Sequence, residues 1–246
     1  MKKLTIALMI VMSLSVLSAC GKDKKDDENL LMATEGGFAP YEYLSGNEII
    51  GVDVDIAKEI AKDMDKELEI KNMNFDGALL AVQQGKVDFV AAGLSIKPER
   101  LEKMDFSIPY ATSKQVIVVK KGAGVINSEA DIKETTKVGF QTGTTGQFYA
   151  EDDIKSETKG YTKYSQAAQD LKNEKIDCII MDEVPAKLIV KSNSDLAILD
   201  KELFTDEYAI AVKKGNKDLL EKINKTIERL KSEGKIDQYT VKHTEG

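Results

Sequence analysis

Residues 81–93, AVQQGKVDFVAAG, and residues 170–182, DLKNEKIDCIIMD, carry one phrase twice at an offset of 89. Each runs from a helical tail through Lys-Val-Asp or Lys-Ile-Asp into three apolar strand positions. Upstream of the first copy, Ile56, Ile60 and Met64 recur at spacing four beside Ala57 and Ala61, which predicts an amphipathic helix over 53–64. Asp53 and Asp55 stand at its start, where the helix dipole favours negative charge. Leu68 and Ile70 alternate as in a strand, a helix is expected from about Asp76 to Gln84 with Gly85 as its stop, and a strand follows over Val87–Ala92. Strands alternating with helices predict an α/β fold with mostly parallel sheets flanked by helices.

The recurrence has two readings. Helix, turn, strand is a common local grammar and matches by coincidence; or two lobes share one architecture. Under the second, Gly93 and Asp182 sit at equivalent C-terminal strand ends, where open α/β sheets bind ligands. Two further stretches resemble each other: Lys114–Lys120, ending in Lys121-Gly122, and Tyr208–Gly215. If the chain crosses to a second lobe in the first and returns in the second, residues 30–113 and 208–246 form a discontinuous lobe 1. Residues 114–207 then form lobe 2, with hinge strands at its ends. The closing helix would present Leu219, Leu220, Ile223, Ile227 and Leu230 on one face and stop at Gly234.

The N-terminus stands apart. Lys2 and Lys3 precede an apolar run from Leu4 to about Leu17, the pattern of a secretory signal spanning residues 1–19. Leu17-Ser18-Ala19-Cys20 resembles the lipobox of bacterial lipoproteins, which implies that Cys20 becomes the lipidated first residue of the mature protein; the alternative is an ordinary signal with an incidental cysteine. Residues 20–29 are charged and without apolar periodicity, a flexible tether. No later stretch approaches the ~20 apolar residues that a membrane span requires. The body of about 215 residues suits one large domain or two lobes.

Composition narrows the chemistry. The formal charge is −7, and −9 without Lys2 and Lys3, which argues against nucleic acid as a partner. With Cys20 spent on lipid, Cys178 remains alone in an apolar run, expected to be a buried structural thiol. His243 is the only histidine and lies near the end, so no metal site and no cofactor is expected.

One residue type is conspicuous by scarcity. Of 35 basic residues only Arg100 and Arg229 are arginine, and Arg100 lies just past a strand end in AAGLSIKPER, 91–100. A guanidinium offers two parallel donors that match a carboxylate, which an ammonium does not. The bland alternative is a cap on the preceding turn or a pair with Glu99 or Glu102.

Six segments in order resemble the bacterial extracellular solute-binding proteins that serve ABC importers of polar amino acids. They are ATEGGFAPYEY (33–43), GVDVDIAKEIAK (51–62), NFDGALLAVQQGKVDFVAAGLSIKPER (74–100), DFSIPY (105–110), FQTGTTG (140–146) and IIMDEVP (179–185). The resemblance covers the body from about Leu30 to Tyr239. It implies a two-lobe periplasmic-binding-protein-like fold, joined by two crossing hinge strands, that closes around one free amino acid. It also implies a monomer on the outer face of the membrane, held by its lipid and delivering cargo to permease subunits with a cytoplasmic ATPase.

The same resemblance implies roles. Arg100 grips the ligand carboxylate, with Ser95 beside it and Thr144 and Thr145 adding donors from the other lobe. Asp182 takes the ammonium, helped by the Gly93 carbonyl, with Ala92 adjoining. Phe38 and Phe75 sandwich the ligand side chain. Glu35, Gln141 and Met181 shape its far end; relatives often have Asp or Asn where Glu35 stands, and a carboxylate there suits either a cationic ligand or a glutamine amide. Each residue has a plainer reading: GTTG as a loop entering a helix, Asp182-Glu183 as the acidic start of a helix, and Phe38, Tyr41 and Phe75 as core. The rival class is an enzyme, a periplasmic-type dehydratase on the same fold acting on a cyclohexadienyl amino acid or keto acid. A sensory input module is a third class and would carry a transmembrane segment and an output domain.

Overall fold

A computed structural model describes residues 29–124 and 126–245. The expected signal peptide, Cys20 as expected lipidation site, and the expected tether up to residue 28 lie outside the described residues.

The first sheet begins with β1 (Asn29–Thr34), after which β2 (Gly37–Phe38), β3 (Glu42–Ser45) and β4 (Glu48–Ile50) form a small antiparallel meander. Helix α1 (Val52–Asp63) follows, and its apolar stripe buries Ile56, Ala57 and Ile60 as the spacing predicts. Strand β5 (Glu67–Asn72), helix α2 (Phe75–Gln84) and strand β6 (Phe89–Val90) complete a parallel unit in which β5 and β6 flank β1. Gly85 ends α2 in the left-handed region, φ +71°, where a Cβ is penalised. The short α3 (Pro98–Leu101) and β7 (Met104–Phe106) close this stretch.

The second sheet is built from β8 (Ala111–Lys120), β9 (Lys137–Gln141), α4 (Thr145–Phe148), β10 (Glu157–Tyr161), α5 (Tyr164–Lys172), β11 (Cys178–Asp182), α6 (Glu183–Ser192), β12 (Leu196–Ile198) and β13 (Phe204–Tyr208). Its parallel unit is β10-β9-β11, the counterpart of β5-β1-β6. The repeated phrase is therefore a shared architecture: α2 and α5 open on the aromatic pair Phe75 and Tyr164, again 89 positions apart, and both rings are buried.

The sheets are less uniformly parallel than expected. In the first, β14 (Ala211–Lys213) runs antiparallel to both β6 and β7; in the second, β8 runs antiparallel to β11, β12 and β13. The cause is topological, because a strand entering from the other sheet needs no helical crossover and so is not constrained to run parallel. The two passages fall at Ser107–Tyr110 and Ala209–Ile210, bound to each other by Tyr110 N–H to the Tyr208 carbonyl (2.9 Å) and Ser107 N–H to the Ile210 carbonyl (2.9 Å). Strand β8 itself, expected as a crossing strand, lies inside the second sheet between β11 and β12.

Helix α7 (Lys217–Ser232) packs on α1 and buries Leu219, Ile223, Ile227 and Leu230. Each such side chain contributes about 1.5–3 kcal/mol. Gly234 ends it, φ +64°, but a further helix not foreseen from the sequence, α8 (Lys235–Glu245), continues the chain. There His243 packs against α1 and the meander, with Nε2 2.9 Å from Asp55 and Nδ1 3.0 Å from the Tyr43 hydroxyl.

Candidate functional site

Four parallel strands end around one cleft. Thr34 closes β1 and hands on to Glu35; β6 leads into Ala92 and Gly93; β9 ends on Gln141; β11 ends on Asp182. Eleven of the residues singled out from the sequence line this cleft: Glu35, Phe38, Phe75, Ala92, Gly93, Ser95 and Arg100 from one half, Gln141, Thr144, Thr145 and Asp182 from the other. The space left free between these side chains is only about 10 Å³, room for about one water, so the two halves lie close together. Carbonyl ends of parallel strands converge on such a crevice in open α/β sheets.

Arg100 is 6% exposed, and burial lowers its pKa to about 10 against the pull of Asp206 and Asp182. Its Nη1 donates to the Ser95 carbonyl at 2.6 Å and its Nη2 to the Gly143 carbonyl at 2.7 Å, while the guanidinium lies 5.7 Å from the centre of the Phe75 ring. The guanidinium is not paired with Glu99 or Glu102, but its bond to Ser95 is the cap on the preceding turn that the plainer reading also named. Gly143 adopts φ +86°, and a Cβ placed there meets Phe75 and Asp76 at 3.5 Å, so the GTTG turn is seated against the N-terminus of α2.

Asp182 is the N-cap residue of α6, yet its side chain does not cap the helix. Its Oδ1 instead accepts from Ser113 Oγ at 2.8 Å and from the Tyr208 hydroxyl. Burial pushes its carboxyl up to about 6 in spite of those donors. The position is thus charged above that range and held at the cleft wall by two hydroxyls. Arg100 and Asp182, opposite charges from opposite halves, line a single cavity.

Gly93 has φ +52°, and a Cβ would come within 2.5 Å of Phe38 Cε1, so the backbone approaches the cleft closely because the residue has no side chain. Its N–H donates to Asp53 Oδ2 at 2.8 Å. The acidic start of α1 therefore divides: Asp55 faces Lys242 and His243, while Asp53 is fully buried and holds the cleft backbone. Phe38 stacks with Tyr41 (5.9 Å) and tilts against Tyr164 (6.1 Å).

At the far end, Gln141 Nε2 donates to Glu35 Oε2 (3.2 Å) and to the Thr162 carbonyl (2.9 Å). Lys163 Nζ lies 3.7 Å from Glu35 Oε1. Burial raises the Glu35 pKa, opposed by Gln141 and Lys163. Thr144 Oγ1 turns inward to the Gln141 carbonyl (2.7 Å), and Thr145 Oγ1 donates to Asp206 Oδ2 (2.6 Å). Met181, expected at this end, is fully buried in the hydrophobic core and does not line the cleft; alternation along β11 puts it on the face opposite Asp182. Tyr41 is likewise core.

Sequence reasoning missed Glu42, Ser113, Lys163, Asp206 and Tyr208. Glu42 lies one position from Tyr41 in the quoted PYEY stretch, a charge inside an apolar alternation and the one available signal. The others are ordinary residues in strands and turns whose proximity exists only after folding.

The sequence profile described as bacterial extracellular solute-binding proteins, family 3, matches residues 30–245. The arginine-binding extracellular protein ArtP of Bacillus subtilis is 32% identical, over 97% of this chain and 96% of that protein. Among solved structures, the amino acid ABC transporter substrate-binding protein AbpA of Streptococcus pneumoniae bound to L-arginine superposes with a TM-score of 0.83 at 36% identity, covering 89% of this chain and 95% of that one. An ancestral arginine-binding protein bound to glutamine gives a TM-score of 0.80 at 39% identity, covering 88% and 97%.

Proposed function

The chain belongs to the bacterial extracellular solute-binding proteins, family 3, and from that premise we propose that its cleft captures a cationic amino acid, arginine foremost, for an ABC importer. The relatives found are transport binding proteins, and the cleft is read here as non-catalytic. One observation carries the ligand reading: a buried guanidinium from one half and a buried carboxylate from the other line the same cavity. An amino acid presents the complementary pair, and moving both its charges out of water without partners is prohibitive.

In this reading Arg100 takes the α-carboxylate, with Ser95, Thr144 and Thr145 beside it. Asp182 and the Gly93 carbonyl take the α-ammonium. Phe38 and Phe75 cover the aliphatic stem and Ala92 leaves room for it. Glu35, backed by Gln141, faces the side-chain charge. Glu35 is held by the Gln141 amide and approached by the half-exposed Lys163 ammonium at 3.7 Å, so a ligand guanidinium would have to displace or share with that lysine, while the remaining acceptor capacity of the carboxylate suits a cation. Because both halves contribute, ligand contacts are strongest when the halves are together, and binding drives closure. The closed monomer then docks on extracytoplasmic faces of permease subunits energised by a cytoplasmic ATPase, tethered by lipid on Cys20.

Calorimetry of the purified protein against a panel of amino acids tests this. Arginine is expected to bind tightest, with lysine and glutamine weaker. Silence across the panel, or turnover of prephenate or arogenate, overturns it.

A further inference from the structure

Glu42 lines the cleft from β3 and has no part in the roles above. It is fully buried with its carboxyl against that of Asp53, and among the described residues no amide, hydroxyl or cation donates to either of its oxygens. The groups that face it are Asp53 on α1, Glu35 after β1, Asp182 at the end of β11, and the phenols of Tyr41 and Tyr110. None of these is a cation. The guanidinium in the cleft, that of Arg100, is engaged by the Ser95 and Gly143 carbonyls.

A carboxylate buried among other acids, with no protein donor or counter-charge, takes up a proton instead. Asp53 and Glu42 compete for that proton. Asp53 accepts the Gly93 N–H, which favours its charged form, whereas Glu42 has no such donor, so the shared proton sits on Glu42 and faces Asp53. Burial, then Asp53 and Glu35, hold the Glu42 carboxyl well above the ordinary carboxylate range, whereas Asp53 and Asp182 are each pushed up only to about 6. A cation brought into this acid-lined cavity reverses the balance for the protonated Glu42.

We propose that Glu42 is a charge partner for the ligand, neutral in the free protein, whose carboxyl ionises as a cationic amino acid fills the cleft and gives its proton to solvent. The O–H bond of Glu42 breaks, the electron pair stays on the carboxylate facing the ligand, and the buffer takes the proton. The inference rests on reading the cleft as an amino-acid site.

The test is calorimetry of arginine binding at pH 7.5 to 8, above the pKa of about 6 of Asp53 and Asp182 and below the titration of arginine's own α-ammonium, in buffers of different ionisation enthalpy such as phosphate and Tris. Proton release makes the apparent enthalpy depend on the buffer and makes affinity rise with pH, by up to about tenfold per pH unit for a full proton. Glu42→Gln is expected to bind arginine with a buffer-independent enthalpy and a flat pH profile; if that variant does not fold, the wild-type measurement stands alone. Binding with no buffer dependence overturns the inference and leaves the amino-acid reading intact. Proton release that persists in Glu42→Gln assigns it to another acid and also overturns it. Absence of any binding heat sinks the amino-acid reading and the inference with it.

Discussion

Arg100 Nη2 donates to the Gly143 carbonyl at 2.7 Å, so a side chain rooted in α3 beside the first sheet ends on a turn of the second. The bond spans the cleft beside Phe75, as Gln141 to Glu35 spans it at the other end. Both bonds therefore join the two halves through side chains that line the cleft.

Replacing Arg100 by lysine removes this two-pronged geometry while keeping the charge. Arginine affinity is expected to fall by roughly 10- to 100-fold, the loss of about 1.5–3 kcal/mol typical of a charged hydrogen bond. Unfolding free energy should change by only about 1 kcal/mol, because the side chain ends in the cleft rather than in the apolar core. Denaturant unfolding beside calorimetry checks both; equal losses in stability and binding would make the arginine structural.

Asp182 couples folding to pH. Its folded carboxyl binds a proton more tightly than the unfolded one, with a pKa of about 6 against an ordinary 3.8. Its stabilising contribution is therefore complete below pH 3.8 and is lost as the pH rises through 6. Asn at this position keeps an acceptor for Ser113 and Tyr208 and removes the buried charge. Asp182→Asn is expected to raise the stability of the ligand-free protein at pH 7 by about 1–3 kcal/mol, to have little effect at pH 4, and to abolish binding of the ligand ammonium. Urea titrations at the two pH values read the difference directly.

Cys178 is fully buried in β11, and burial pushes its thiol up to about 12. A thiol so placed does not form the reactive thiolate. Ellman's reagent at pH 8 is expected to leave the native protein unmodified over hours and to react within minutes in denaturant. Fast native modification would place the thiol at an accessible site.

The legible features were the local and periodic ones. The spacing of Ile56, Ile60, Ala57 and Ala61 fixes a helix face, Gly85 marks a stop by its freedom at positive φ, and the doubled phrase marks two like units. Resemblance placed eleven residues that the structure gathers in one cleft. The direction of β8 and β14 was hidden, because it follows from how the chain passes between the sheets and not from any pattern within the strands. Lys163 was hidden among 33 lysines, and its approach to Glu35 depends on two chain segments meeting across the cleft. Asp53 was assigned to the helix dipole on sound local grounds, but its bond to Gly93 joins positions 40 residues apart.

A crystal structure of the protein grown with L-arginine tests the central claim most directly. The account predicts the α-carboxylate against the Arg100 guanidinium, the α-ammonium against Asp182, and the side chain running between Phe38 and Phe75 toward Glu35. Arginine bound elsewhere, or bound with its carboxylate turned away from Arg100, would contradict it.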